Sequence, residues 1–375
     1  MKFSQRVFSS LVSPTLNWRS LGVPRVRGIT LVELMVALAV GLLLLLAVVS
    51  IFASSKQTYR MQEAMARVQE SGRIALELIA REVREAGYYG CVGNLVAEEP
   101  RSDGVLDAGR MRNTLNPDPP LPPAFAFDFS RPLFGHDAVG NAWLPALPSG
   151  FPFVPIEGTD VITVSAAQGS GEPVTAHPGN PNQPPGSANL QTNAGNGFQQ
   201  GEILVVSDCE TAAVFQVTNN NPSTSGTLVH NTGNNPLPGN WTQALGRNFT
   251  GGEVYRTRQS TFYVGNGAAN RPALFRNADE LVEGVVELQI RYGVDTNNNG
   301  RIDQYQTAAQ VQTNGVWPAV RAVRVSLLVR AEEPGVMPDP VTNLAFDEGV
   351  FSAPVGDRRM YRAFSTTIGV RNRLL

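Results

Sequence analysis

Residues 29–52 form a run of 24 residues whose only charge is Glu33. A helix of that length, at 1.5 Å per residue, crosses a hydrocarbon core about 30 Å thick. Lys2, Arg6, Arg19, Arg25 and Arg27 precede the run, with no acidic residue among them. Their charge favours a cytoplasmic N-terminus under the positive-inside rule. A cleaved secretory signal would carry an apolar region of only about 7–15 residues before a small-residue cleavage site. The run is therefore expected to be a retained single span, with the rest of the chain as a periplasmic head.

Glu33 needs a reason to be there, because a carboxylate moved deeper into lipid without a partner costs a few kcal/mol. On its own it reads as a group snorkelling at the interface. Its neighbours say more. Arg27-Gly28-Ile29-Thr30-Leu31-Val32-Glu33 is a basic residue, a glycine, an apolar residue and then a glutamate at the fifth position after the glycine. With the apolar run behind it, this resembles the class III signal of type IV prepilins and pseudopilins. The resemblance implies cleavage between Gly28 and Ile29 by a prepilin peptidase and N-methylation of Ile29. It also implies that Glu33 pairs with the terminal ammonium of a neighbouring subunit. Such a low-dielectric pair is register-specific, since loss of either partner leaves a desolvated charge. Removing the 28-residue leader would take the net charge from −2 to about −7, a surface with no general attraction for nucleic acid.

Residues 53–88 contain no proline. Met61, Met65, Val68, Gly72, Ala75, Ile79, Val83 and Ala86 recur there at three- and four-residue steps. Glu63–Arg67 and Glu77–Arg81 are favourable i,i+4 pairs. One stem helix over 29–88 is expected, transmembrane over 29–52 and amphipathic over 53–88, with Gly41 and Gly72 as soft points. A break at Ser54-Ser55 is the alternative. Beyond it, strands are expected over 160–166, 202–207, 212–218, 253–264, 281–294, 319–331 and 361–371. The stretches 113–155 and 169–201, rich in Pro and in Gly, Asn and Gln, read as long loops. The fold class is thus α+β: a long N-terminal helical stem and a β-rich, largely antiparallel head over 89–375.

Cys91 follows the stem and Cys209 follows a predicted strand. They cannot make a tetrahedral metal site alone; they are expected to form one disulfide in an extracytoplasmic domain or to stay as buried thiols. Asp295, Asn297, Asn299, Arg301 (through its carbonyl) and Asp303, with Gly300 at position 6, match the first part of an EF-hand-type loop. Gln306 stands where the bidentate carboxylate would be, so any Ca²⁺ would bind weakly. A hairpin turn at Asn299-Gly300 is the competing reading. No other cofactor is expected. His136, His177 and His230 fall in loop-like segments and are expected to be solvent-exposed. No nucleophile elbow, Walker, zincin or dinucleotide motif is present, so an enzyme is not expected.

Gly87-Tyr88-Tyr89-Gly90-Cys91, Ser207-Asp208-Cys209, VVELQIRYGVDTNNNGRID at 285–303, AVRAVRVSLLVRAE at 319–332 and YRAFSTTIGVRNR at 361–373 together resemble PilW-type minor pilins. That resemblance implies type IV pilus biogenesis, twitching motility and attachment. The implied partners are other minor pilins, the major pilin, the prepilin peptidase, the inner-membrane assembly platform and membrane lipid. A minor pseudopilin of type II secretion and a membrane-anchored periplasmic hydrolase are the alternatives.

Overall fold

The computed structural model describes residues 28–93, 96–97, 105–116, 128–129, 131–148, 151–179 and 187–373. The leader up to residue 27 lies outside them. By contacts the chain divides into two units, Met1–Gln57 and Thr58–Leu375.

Helix α1, Leu31–Glu85, passes through Ser54-Ser55 and both glycines without a break. Strong helix formers dominate it, and no proline interrupts its hydrogen bonds. Its apolar half is exposed on all sides, as a lipid-facing helix is. Within the second unit it buries Ala64, Val68, Gly72, Ala75, Ile79, Ala80, Glu82 and Val83. The expected stripe is thus corrected at one position: Ala64 faces inward, and Met65 is exposed with its sulfur 3.3 Å from Arg362 Nη1. Glu63 pairs with Arg67 at 2.6 Å, whereas Glu77 reaches Arg84 and not Arg81.

Eighteen strands follow among the described residues. The first nine are β1 (Val96–Ala97), β2 (Arg110–Asn113), β3 (Leu133–Val139), β4 (Ala142–Leu144), β5 (Val161–Pro173), β6 (Asn189–Gln191), β7 (Ile203–Ser207), β8 (Ala212–Gln216) and β9 (Thr227–Val229). A one-turn helix α2, Pro222–Ser225, precedes β9. Next come β10 (Glu253–Asn266), β11 (Pro272–Arg276), β12 (Asp279–Glu283), β13 (Val285–Val294) and β14 (Gln304–Gln306). Helix α3, Ala308–Asn314, starts on a capping box between Thr307 and Gln310. The last strands are β15 (Val320–Arg330), β16 (Leu344–Phe346), β17 (Gly349–Phe351) and β18 (Tyr361–Gly369).

The larger sheet runs β1-β2-β8-β7-β10-β5-β3-β4, with β11 attached to β10 and β12 to β11; the smaller runs β14-β13-β15-β18. All pairings are antiparallel except β1–β2 and β2–β8. α1, β5 and β10 of the first sheet and β13, β15 and β18 of the second share one core, including Ile79, Val83, Ile162, Phe262, Leu288, Val325 and Leu327. Each such side chain, fully buried, contributes about 1.5–3 kcal/mol. Asp160 fastens the two sheets together. Its amide donates to Leu288 O, and its two oxygens accept from Ala138 N and Ile290 N, all at 2.8 Å. Burial pushes this carboxyl up to about 7.

Three expectations fail here: the stretch 169–201, expected to be loop, holds the end of β5 and all of β6. The strand expected over 281–294 is two, because Gly284 at φ 82° turns the chain between β12 and β13. The stretch 113–155, expected to be loop, contains β3 and β4 and supplies core residue Leu133.

Candidate functional site

Gly28 and Ile29 lie ahead of the helix, with Ile29 75% exposed and, among the described residues, nothing within 4 Å of the space beside the Gly28 Cα. Thr30 then starts the helix. Its amide and hydroxyl donate to Glu33 Oε2 at 3.0 and 2.9 Å, and Glu33 N donates to Thr30 Oγ1 at 3.2 Å. This is a reciprocal capping box. Glu33 thus has a local role beside the intersubunit one implied by resemblance, and T-x-x-E was the sequence signal for it.

At the other end of α1, Glu82 is buried under the head. Its Oε2 lies 2.8 Å from Arg258 Nη2, Oε1 lies 3.7 Å from Arg276, and Ser260 Oγ donates to it at 3.3 Å. Arg258 also reaches Glu85 at 2.7 Å. A buried carboxylate survives only with such partners. Arg258 and Ser260 are alternate residues of β10, so one face of that strand is keyed to one face of the helix. Reading the stem by apolar periodicity missed Glu82, because a glutamate on the buried stripe carries no signal until its arginines are known.

The N-terminal segment and the head each match a known family. Residues 24–49 match the family model for the prokaryotic N-terminal methylation motif, and residues 261–372 match that for type IV pilus-assembly protein W. Residues 261–372 are thus similar to PilW-type pilus-assembly proteins, and the N-terminus carries a prepilin-type methylation motif. No curated protein and no solved structure matches it.

The second match runs from the last six residues of β10 through β18, and so contains the whole smaller sheet. The disulfide lies outside it. Cys91 and Cys209 are joined across 118 residues of sequence, tying the end of the stem to the β7–β8 turn, where Cys209 has φ 69°.

The 295–303 segment connects β13 to β14 as a hairpin loop, with Asn298 and Gly300 in the left-handed region. Its oxygens are turned on the loop itself. Asp295 accepts from Asn299 N and Gly300 N, and Asn297 Oδ1 also takes Asn299 N. Asn299 Oδ1 takes Arg301 N, while Asp303 accepts from Thr296 and from Asn297 Nδ2. Arg321 Nε lies 3.6 Å from Asp295 Oδ2. A calcium ion entering this loop would compete with that guanidinium and with the loop's own amides.

The histidines correct an expectation: His136, His177 and His230 are all buried. His136 Nδ1 lies 2.8 Å from Pro145 O, and His177 Nδ1 accepts from Phe249 N at 3.2 Å. His230 sits with its ring 5.1 Å from Phe215 and 6.2 Å from His177. Burial, with His177 beside it, pushes His230 down to about 3. They are core side chains. Among the described residues no three His, Cys, Asp or Glu groups gather as a metal site would require.

Proposed function

We propose that this chain is a minor pilin that helps prime type IV pilus assembly and stays with the fibre near its tip. The observation that carries this reading is the joining of a methylation motif to a fully exposed apolar helix that continues beneath a PilW-type head. In this reading the prepilin peptidase cuts between Gly28 and Ile29 and methylates Ile29. The apolar half of α1 holds the chain in the inner membrane, with the N-terminus cytoplasmic and the head periplasmic. Subunits leave the bilayer into the fibre when Glu33 of one meets the terminal ammonium of another. Glu33 Oε2 is held by Thr30 beforehand, so the carboxylate is already oriented when its partner arrives. Other minor pilins, the major pilin and the assembly platform are the partners. A minor pseudopilin of type II secretion shares the stem but is disfavoured by the PilW match over the smaller sheet.

Localisation tests the proposal. In a strain lacking the gene, the wild-type chain should restore surface pili and appear in the sheared-pilus fraction. Glu33→Ala should be cut to mature size yet remain in the membrane fraction, with fewer or shorter pili. Gly28→Ala should keep its leader. Wild-type piliation with Glu33→Ala would show that the carboxylate does not set assembly.

A further inference from the structure

The sheet face turned away from α1 carries a row of polar side chains where an apolar core is usual. β10 alternates: Arg258, Ser260 and Phe262 face the helix, and Thr257, Gln259 and Thr261 face the other way. Directly across on β5, Ser165 pairs with Gln259 and Thr163 with Thr261. The two threonine hydroxyls lie 3.0 Å apart, and Gln259 Nε2 reaches Ser165 Oγ at 3.4 Å. Thr163, Ser165 and Thr261 are each at most 3% exposed.

Over this row lies a groove of about 440 Å³, within the range of about 300–1,000 Å³ common to small-molecule sites. Thr257, Gln259, Thr261 and Asn277 line it, and Phe129 and Phe153 wall it. The walls are set in advance. Phe153 stacks on Tyr263 and Tyr263 on Phe275, each at 5.3 Å between ring centres, while the Phe129 carbonyl accepts from Tyr89 Oη at 2.7 Å.

Charge and backbone decide what such a groove can take. Its charged pair, Arg256 and Glu202, is bonded to itself at 3.2 Å, so neither an anion nor a cation finds an unmatched partner there. An extended peptide would need the free edge of β10. Asn277 already occupies that edge: its amide and side chain bond Thr261 O, Thr261 N and Gln259 O at 2.8, 2.9 and 3.1 Å. Recognition is left to aromatic faces, hydroxyls and a carboxamide. A small neutral molecule with an apolar C–H face and many hydroxyls fits that set.

We propose that this groove binds a neutral saccharide of one or two rings, with a sugar face against Phe153 and its hydroxyls toward Thr257 and Gln259. The site gives the head a ligand-binding activity that is independent of whether the chain enters a fibre.

The test needs no pilus. The full-length protein is held in a zwitterionic, sugar-free detergent, and saturation-transfer NMR is recorded with glucose, galactose, mannose, N-acetylglucosamine, lactose, cellobiose and chitobiose. At least one sugar should receive saturation, strongest at its ring C–H protons. Phe153→Ala and Gln259→Met should each weaken that binding about tenfold, the loss of one stacking or hydrogen-bonding contact. Val350→Ser, on β17, should not change it. Unchanged thermal melting of the two groove variants separates lost binding from lost folding. The proposal is overturned if no sugar in the panel responds, or if the response persists in both variants. It is equally overturned if a proline-rich decapeptide, and none of the sugars, binds in a Phe153-dependent way.

Discussion

Two buried side chains bear on the head's stability, Glu82 through its partners and His230 through its protonation. Glu82 is 4% exposed and holds two arginines that remain partly open to water, Arg258 and Arg276. Replacing it with alanine leaves both guanidiniums against a sheet that was built around a carboxylate. The expected cost is about 2–4 kcal/mol, at or below the usual range for a broken buried pair because the arginines can turn to solvent. Glu82→Gln should cost less, since it keeps the hydrogen bond to Ser260. Urea titrations of the three proteins should rank them in that order. His230 imposes a pH dependence. Its folded pKa of about 3 lies below the unfolded value near 6.5, so the neutral ring's stability is complete above about pH 6.5 and is lost as pH falls toward 3. The slope approaches about 1.4 kcal/mol per pH unit. Asp160 acts in the opposite sense. Its carboxyl is raised to about 7, so ionising it costs stability between about pH 4 and 7 and the protonated form is favoured below. Melting temperatures at pH 4.5 and 7.5 should therefore fall less toward acid in His230→Leu than in the native chain, and fall more in Asp160→Asn.

At the scale of elements, helix and sheet meet closely at Gly72. A Cβ placed there would come within 2.4 Å of the Phe364 ring on β18. Glycine costs a helix about 1 kcal/mol relative to alanine, so this one is explained by the close approach and does not soften α1 as expected. Gly72→Val should destabilise by about 1–3 kcal/mol through overpacking. The loss should shrink when Phe364→Leu is added, and a double-mutant cycle in urea checks that coupling. The 295–303 hairpin gives a second test. Because Arg321 and the loop amides already hold its carboxylates, 5 mM CaCl₂ against EGTA should move the melting temperature by less than about 1 °C. The stem and the long strands β10, β15 and β18 could be read from the sequence, because their periods persist over many residues. β3 and β4 could not: each is short, and the prolines around them carry the signal of a loop. Nor could the groove, whose parts come from β7, β10 and four separate loops. Its only trace in the sequence was T-x-Q-x-T at 257–261, polar residues on the face where a core-facing strand would place apolar ones.

For the whole molecule the disulfide is the long-range tie. By chain entropy, closing a loop of 118 residues is worth several kcal/mol, although engineered cases often deliver less. Alkylation without reductant should label neither cysteine in protein taken from the periplasm. Cys91→Ser should lower the head's stability by about 2–4 kcal/mol while leaving leader removal as it was, since the bond lies far along the chain from Gly28. The tie also sets a load path. Tension drawn along α1 reaches Cys91 and passes covalently into the β7–β8 turn at Cys209, so the polypeptide between them is bypassed. From β7 the force enters β10, whose Arg258 and Ser260 grip Glu82 on the stem. A head pulled by its own helix is thus held at two points, the Glu82 contacts to β10 and the Cys91–Cys209 bond, and not through the intervening chain alone.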